Sequence, residues 1–248
     1  MATKIINNVI PSHERQLICN WLDKKDQYTD IRPDVTSKNP KFENNDWPKF
    51  SIESALNRVL DKPYKIESVI FYKAKGAFRL HVDSANGEDD LYKVIIFPLK
   101  LSGPSSTVIF DNHWHGPSGK FSKQEIPQFE YTLELGSERI YIPDMRKYKT
   151  QDKKVKALLE DLIKKRKKID GRHYNYNKIG NINNKPFPVD IHNKYMNHIP
   201  YENLHGLTVD KIVEWQEGSP FIFDRTQLHC GTNTHTQKIF CTVFTFKA

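Results

Sequence analysis

The feature of this sequence that most limits its fold is a set of short β-type runs in two blocks, separated by a stretch of different grammar from about residue 111 to 210. The first block begins at Tyr64 and reads KIESVIFYKA, AFRLHVD, LYKVIIFPLKL and STVIF, with Gly, Pro, Asn and Asp between the runs. The second reads KIVEWQ, FIFDR, QLHCG and KIFCTVFTF. Runs of this length, rich in branched and aromatic residues and bounded by turn formers, predict strands. A long insertion between two strand blocks is read as part of a single 1–248 domain, because no repeat or second strand-and-helix system marks a boundary.

Helical spacing occurs in three places. After a Pro-Ser start, Leu17, Ile18, Trp21 and Leu22 predict a helix over 12–25, and Ile52, Ala55, Leu56 and Val59 predict another over 51–60. Within the insertion, Val155, Leu158, Leu159, Leu162 and Ile163 form one stripe of a helix from about Asp152 to Lys168, whose other faces are Lys-rich. The Asn- and Pro-rich run GRHYNYNKIGNINNKPFPVD that follows is read as loop. Asp111, Asn112, Gly116 and Pro117 are read as turn, with a strand around Arg139 to Ile142.

Composition narrows the class. Apolar residues at 38% and aromatics at 12% suffice for a core. No segment nears the length of a membrane span, and residues 1–16 lack the apolar run of a signal peptide, so a soluble, cytoplasmic protein is expected. Three cysteines, Cys19, Cys230 and Cys241, suit neither a disulfide framework nor a zinc ribbon. The net charge of +8 favours acidic or polyanionic partners, nucleic acid among them, and is also what a solvated Lys-rich surface would give. On that charge a nucleic-acid-binding β scaffold, with Tyr174 and Tyr176 near the basic helix, is a rival reading.

Chemistry concentrates at two points. His81-Val82-Asp83 at the end of a strand sets an imidazole and a carboxylate on one face, because side chains two apart point the same way. Taken alone, this is also what a surface histidine before a turn aspartate would produce. In the second block His229 stands at the end of EWQEGSPFIFDRTQLHCGTN, and Lys238 heads the terminal strand nine positions later. Two neutral imidazoles and one carboxylate on one face of a metal leave coordination positions open, the donor set of non-haem Fe(II) oxygenases. A dianionic co-substrate entering such a site needs a fixed cation, for which Lys238 is the first choice and Arg225 or Lys93 the alternatives. His113-Trp114-His115 offers a second pair two apart, read as a turn, and His235 is read as exposed. Cys230, beside His229, is read as packing, since adjacent residues in a strand face opposite ways. No G-x-S-x-G elbow, P-loop or G-x-G-x-x-G is present.

With Tyr72, the Gly76 turn, His81 and Asp83 in the first block, and Gly218 through Gly231 in the second, the chain resembles the 2-oxoglutarate and Fe(II)-dependent oxygenase superfamily. The iron strand is similar to that of the prolyl-hydroxylase and phytanoyl-hydroxylase type, and the resemblance covers roughly 64–110 and 209–247. It implies a double-stranded β-helix, or jelly roll, with N-terminal helices. It also implies Fe(II) held by His81, Asp83 and His229, with 2-oxoglutarate and O2 as co-substrates and succinate and CO2 as products. Tyr72 would then hydrogen-bond 2-oxoglutarate, and Lys238 would pair with its distal carboxylate. Two positions depart from the family pattern: the base is Lys at nine rather than Arg at ten after the distal His, and Phe240 stands where Ser or Thr is common. A metal-binding cupin-like protein without oxygenase activity is a further rival. The 111–210 insertion is expected to roof the pocket and carry recognition.

Overall fold

The computed structural model describes residues 3–24, 29–32, 35–38, 47–83, 90–115, 119–120, 131–135, 138–142, 145, 147–169, 179–232 and 236–248. The chain opens with strand β1 (Lys4–Ile5), helix α1 (Ser12–Lys24), strands β2 (Thr29–Arg32) and β3 (Val35–Lys38), and helix α2 (Trp47–Val59). Then come β4 (Tyr64–Ala74), β5 (His81–Val82), β6 (Leu91–Leu101), β7 (Ser106–His113) and β8 (Gly119–Lys120). The insertion contributes β9 (Tyr131–Leu135), β10 (Glu138–Ile142) and α3 (Lys153–Ile169), followed by short helical turns between Val189 and Leu204. Strands β11 (Val209–Glu214), β12 (Phe221–Asp224), β13 (Gln227–Gly231) and β14 (Lys238–Lys247) close the chain.

The chain divides into two compact units, 1–120 with 177–248, and 121–176. In the first, one sheet has the order β1-β12-β6-β14-β4-β3-β2 and the other β11-β7-β13-β5-β8. From β4 onwards the chain passes between the sheets: β4 and β6 lie in the larger, β5 and β7 in the smaller, then β11 and β13 in the smaller and β12 and β14 in the larger. Every pairing among these strands is antiparallel. That alternation is the double-stranded β-helix expected from the sequence.

The strand period of two decides what each face of the larger sheet does. Phe71, Ile95, Phe97, Cys241 and Val243 share a core cluster with Ile18 and Leu22 of α1 and Ile52 and Leu56 of α2. Their neighbours one residue away, Val94, Ile96 and Phe240, belong to a second cluster with Ile109 of β7 and Val213 of β11. The helices therefore cover one face, and the other looks at the smaller sheet. Ser51 Oγ donates to Glu14 Oε2 at 2.7 Å and ties α2 to α1. Proline in a central strand removes a ladder bond; Pro98 sits at a β-bulge, where the β14 register shifts between Ile239 and Phe240.

The turn at Gly218-Ser219-Pro220 ties the N-terminal segment to the sheet. Gly218 has φ +77° and its carbonyl accepts from Val9 N at 2.9 Å, while its own N donates to Pro98 O at 2.8 Å. A Cβ there would lie 2.4 Å from Ile10 O, so close backbone approach and left-handed conformation both require glycine.

Asp111 and Asn112, expected in a turn, instead extend β7 to His113. The reason is tertiary: Asn112, fully buried, donates through Nδ2 to Gly180 O at 3.0 Å and accepts from Thr208 N at 2.8 Å. The Phe110 and Phe187 rings meet at a tilt, 6.1 Å apart, on the face opposite Ile109. Gly180, Phe187 and Thr208 thus meet the smaller sheet on its outer face. Strands β1, β2, β3, β8 and β9 were not expected from the sequence.

In the second unit β9 and β10 pair as an antiparallel hairpin, Glu138 opposite Leu135. Asp152 caps α3, its Oδ1 accepting from Lys154 N at 2.8 Å and Val155 N at 3.2 Å. Val155 and Leu159 are buried, but Leu158, expected in the same stripe, is 41% exposed. The side chains of Leu162 and Ile163, along with Tyr174, Tyr176 and His235, lie outside the described residues. Among the described residues no helix is long and apolar enough to cross a membrane.

Candidate metal centre

Strand pairing brings the two halves of the predicted site together. His229 of β13 lies directly opposite His81 of β5, so two residues 148 positions apart share one face of the smaller sheet. Their rings are 4.1 Å apart. Asp83 follows two residues after His81 and returns to that face; its Oδ2 is 3.2 Å from His229 Nε2 and its Oδ1 3.7 Å from His81 Nε2. One ligand atom from each of the three lies within 4.8 Å of the others.

The tautomers follow from backbone contacts. His81 Nδ1 lies 2.6 Å from Arg79 O and His229 Nδ1 lies 3.1 Å from Gln227 O. A carbonyl only accepts, so each Nδ1 carries the proton and each Nε2 presents its lone pair toward Asp83. Two such lone pairs and a carboxylate converging on one point repel one another unless a cation lies between them. The donor set therefore fits a divalent metal, and two imidazoles with one carboxylate match the facial arrangement of non-haem Fe(II). When both imidazoles are instead protonated at each nitrogen, burial works to raise the Asp83 carboxyl, but the charge and hydrogen bond of His229, then His81 and Arg225, outweigh it and hold it below the usual carboxylate range.

The three side chains line a narrow cleft between the sheets with a cavity volume of about 50 Å³. The inward face of β14 adds Lys238, Phe240, Thr242 and Phe244, alternating with the helix-side residues. Lys238 is 1% exposed; its Nζ donates to Ser105 Oγ at 3.2 Å and lies 4.9 Å from the centre of the Trp215 ring. Trp215 in turn donates through Nε1 to Thr107 Oγ1 at 2.9 Å. Among the described residues that line the cleft, Lys238 is the only one with a fixed positive charge. Gly231 belongs to this wall: a Cβ there would lie 3.8 Å from Lys238 Nζ and 3.1 Å from Phe78 N.

Tyr72 lies in the cleft too, stacked on Phe240 at 4.9 Å and edge-on to Phe78 at 5.7 Å. Phe240, the departure from the family pattern, thus forms part of an aromatic wall. Burial, and then the charge of Asp83, push the Tyr72 phenol well above its ordinary value, so it remains a hydroxyl donor.

The alternative cations are engaged elsewhere. Lys93 pairs with Asp224 and lines a separate pocket with Lys4 and Asp61. Arg225 pairs with Glu67 at 2.7 Å and stacks against Phe244 and Phe246, 5.4 and 5.0 Å from the ring centres. His113 also has a local partner, Nδ1 lying 2.8 Å from Thr226 Oγ1, with the His115 ring 6.2 Å away. Among the described residues, His81, Asp83 and His229 form the cluster with metal-ligand spacing. Cys230 is fully buried and burial pushes its thiol far up, in keeping with a packing role.

No protein-family model and no curated protein matches the chain. Solved structures do. The non-heme alpha ketoglutarate dependent epimerase SnoN from nogalamycin biosynthesis is 8% identical, the match covering 100% of this chain and 79% of that one with a TM-score of 0.50. The viral collagen prolyl hydroxylase of Paramecium Bursaria Chlorella virus-1 is 10% identical over 100% of this chain and 97% of its own, at a TM-score of 0.48. A prolyl-4-hydroxylase of Pseudomonas putida is 8% identical over 100% and 93%, also at 0.48. At such identities the likeness is one of fold.

Proposed function

We propose that the chain is a 2-oxoglutarate- and Fe(II)-dependent oxygenase, with His81, Asp83 and His229 as the iron ligands. The observation that carries this reading is the convergence of two Nε2 lone pairs and a carboxylate in the same cleft as a buried ammonium. Held there, the metal and the keto acid would supply O2 activation for hydroxylating a C–H bond of the prime substrate, with succinate and CO2 as the other products. The protein's share is orientation and charge. Nδ1–H bonds to Arg79 O and Gln227 O hold both imidazoles in the ligating tautomer. Lys238 pairs with the distal carboxylate of 2-oxoglutarate, and the Tyr72 hydroxyl donates to the same molecule. Phe78, Trp215 and Phe240 keep water from the reacting centre. The net charge of +8 favours an acidic or polyanionic prime substrate, a nucleic acid being one such class.

Anaerobic titration with Fe(II) and then 2-oxoglutarate, followed in the visible, tests the reading directly. A charge-transfer band is expected only when both are present, and Asp83→Ala should abolish it together with succinate formation. If Asp83→Ala and His229→Ala proteins turn over 2-oxoglutarate at the wild-type rate, the iron assignment is wrong. Salt-sensitive binding to DNA or RNA supports the polyanionic substrate, and no binding at low salt removes it.

A further inference from the structure

The three ligands are not held alike. His81 and His229 belong to ladder pairs, His81 facing His229 on one side and Lys120 on the other. Asp83 lies one residue beyond β5, past the last pair, Val82 with Gly119. Among the described residues, a contact to its backbone comes from the turn that links the two sheets. Arg225, in the turn between β12 and β13 and 3% exposed, donates through Nε to Asp83 O at 3.1 Å.

We propose that Arg225 is a positioning residue for the metal site, acting as a rigid strap that fixes the carboxylate ligand Asp83 through its backbone carbonyl. This inference rests on the reading of His81, Asp83 and His229 as ligands. The strap is itself held on every side. Nη2 pairs with Glu67 Oε2 of β4 at 2.7 Å, and Nη1 donates to Thr245 O of β14 at 3.3 Å. Thr245 is free to accept because β14 shifts register around it, and its hydroxyl substitutes for the ladder by bonding Lys93 N and O, both at 3.0 Å. The Phe244 and Phe246 rings flank the guanidinium at 5.4 and 5.0 Å.

A planar fork with donors in three directions serves this geometry, and an ammonium on a flexible stem does not. Charge alone would survive an Arg225→Lys exchange, whereas positioning would not. The strap joins Asp83 to β4 and β14, the strands that carry Tyr72 and Lys238 into the cleft. It therefore sets the carboxylate against the walls of the co-substrate space as well as against the two histidines.

The test uses the full chain and Co(II) alone as the probe, read by its visible ligand-field spectrum and by the concentration that half-saturates it. Outer partners of metal ligands typically contribute about 10- to 100-fold in affinity, and Arg225→Lys should lose that much and alter the band shape. Glu67→Gln, which keeps a hydrogen-bond acceptor but loosens the guanidinium, should lose less, about 3- to 10-fold on the same scale. Circular dichroism and urea midpoints identify variants that fail to fold; should Arg225→Lys be one, Glu67→Gln decides. Folded variants with wild-type Co(II) affinity and spectrum overturn the strap, provided Asp83→Ala has lost the metal. If the wild-type protein itself takes up no Co(II), or Asp83→Ala binds it as well, the ligand reading fails and the strap with it.

Discussion

Replacing Lys238 by Met should move two measurements in different directions. The side chain is 1% exposed, and its ammonium faces a cleft shared with His81, Asp83 and His229. Burying an ammonium is costly, and an apolar residue of similar length and volume restores most of the packing, so stability without ligand should fall by less than about 1 kcal/mol, or rise. The co-substrate, by contrast, loses a charge-assisted hydrogen bond worth about 2 to 3 kcal/mol, a rise of about 30- to 150-fold in its Kd. Ala would confound the two effects by leaving a hole against Trp215. The assay is anaerobic titration of 2-oxoglutarate into the Fe(II) protein, read by the charge-transfer band, with urea midpoints of the metal-free protein alongside. Metal affinity should hardly change, since Lys238 is not a ligand. An unchanged 2-oxoglutarate Kd in a folded, metal-binding Met variant would falsify the anchor, and with it the argument from buried charge.

Three further outcomes follow from particular contacts. Gly218→Ala should lower stability by about 1 to 3 kcal/mol, because it strains a positive φ and presses a Cβ against Ile10 O at 2.4 Å; an unchanged urea midpoint would contradict this. Burial lowers the imidazole pKa of His113, so the unfolded chain takes up its proton first as pH falls. Stability should then be full above the unfolded value of about 6.5 and decline below it, and His113→Gln should flatten part of the fall in urea midpoint between about pH 7.5 and pH 5.5. Cys19, Cys230 and Cys241 are all buried with thiols pushed up chiefly by burial, so the native protein should resist iodoacetamide and be alkylated at all three in urea. Rapid native labelling would mean the sheet opens far more readily than its packing implies.

Sequence alone determined what depends on neighbours along the chain. Short β-rich runs bounded by turn formers specified β4, β6, β13 and β14, and β6 spans LYKVIIFPLKL as read. A Pro-Ser start and helical spacing specified α1. An H-x-D at a strand end set an imidazole and a carboxylate on one face whatever that strand paired with, since two residues apart means one face. What sequence left open was everything set by partners distant in the chain. His229 became the third member of the cluster only because its strand pairs with β5 in a register that sets it opposite His81. Asp111 and Asn112 joined a strand because Gly180 and Thr208 lie beside them, overriding their turn preference. The short strands β1, β2, β3 and β8 have too few residues to show a period, and exist because a longer strand offers an edge. The choice among three basic residues was likewise tertiary: each is a lone charge in sequence, and only packing sent Lys93 to Asp224, Arg225 to Glu67 and Asp83, and Lys238 into the cleft. Local pattern specifies which way a side chain faces along its own strand, whereas what it meets there depends on chain closure across many residues, which the local pattern does not encode.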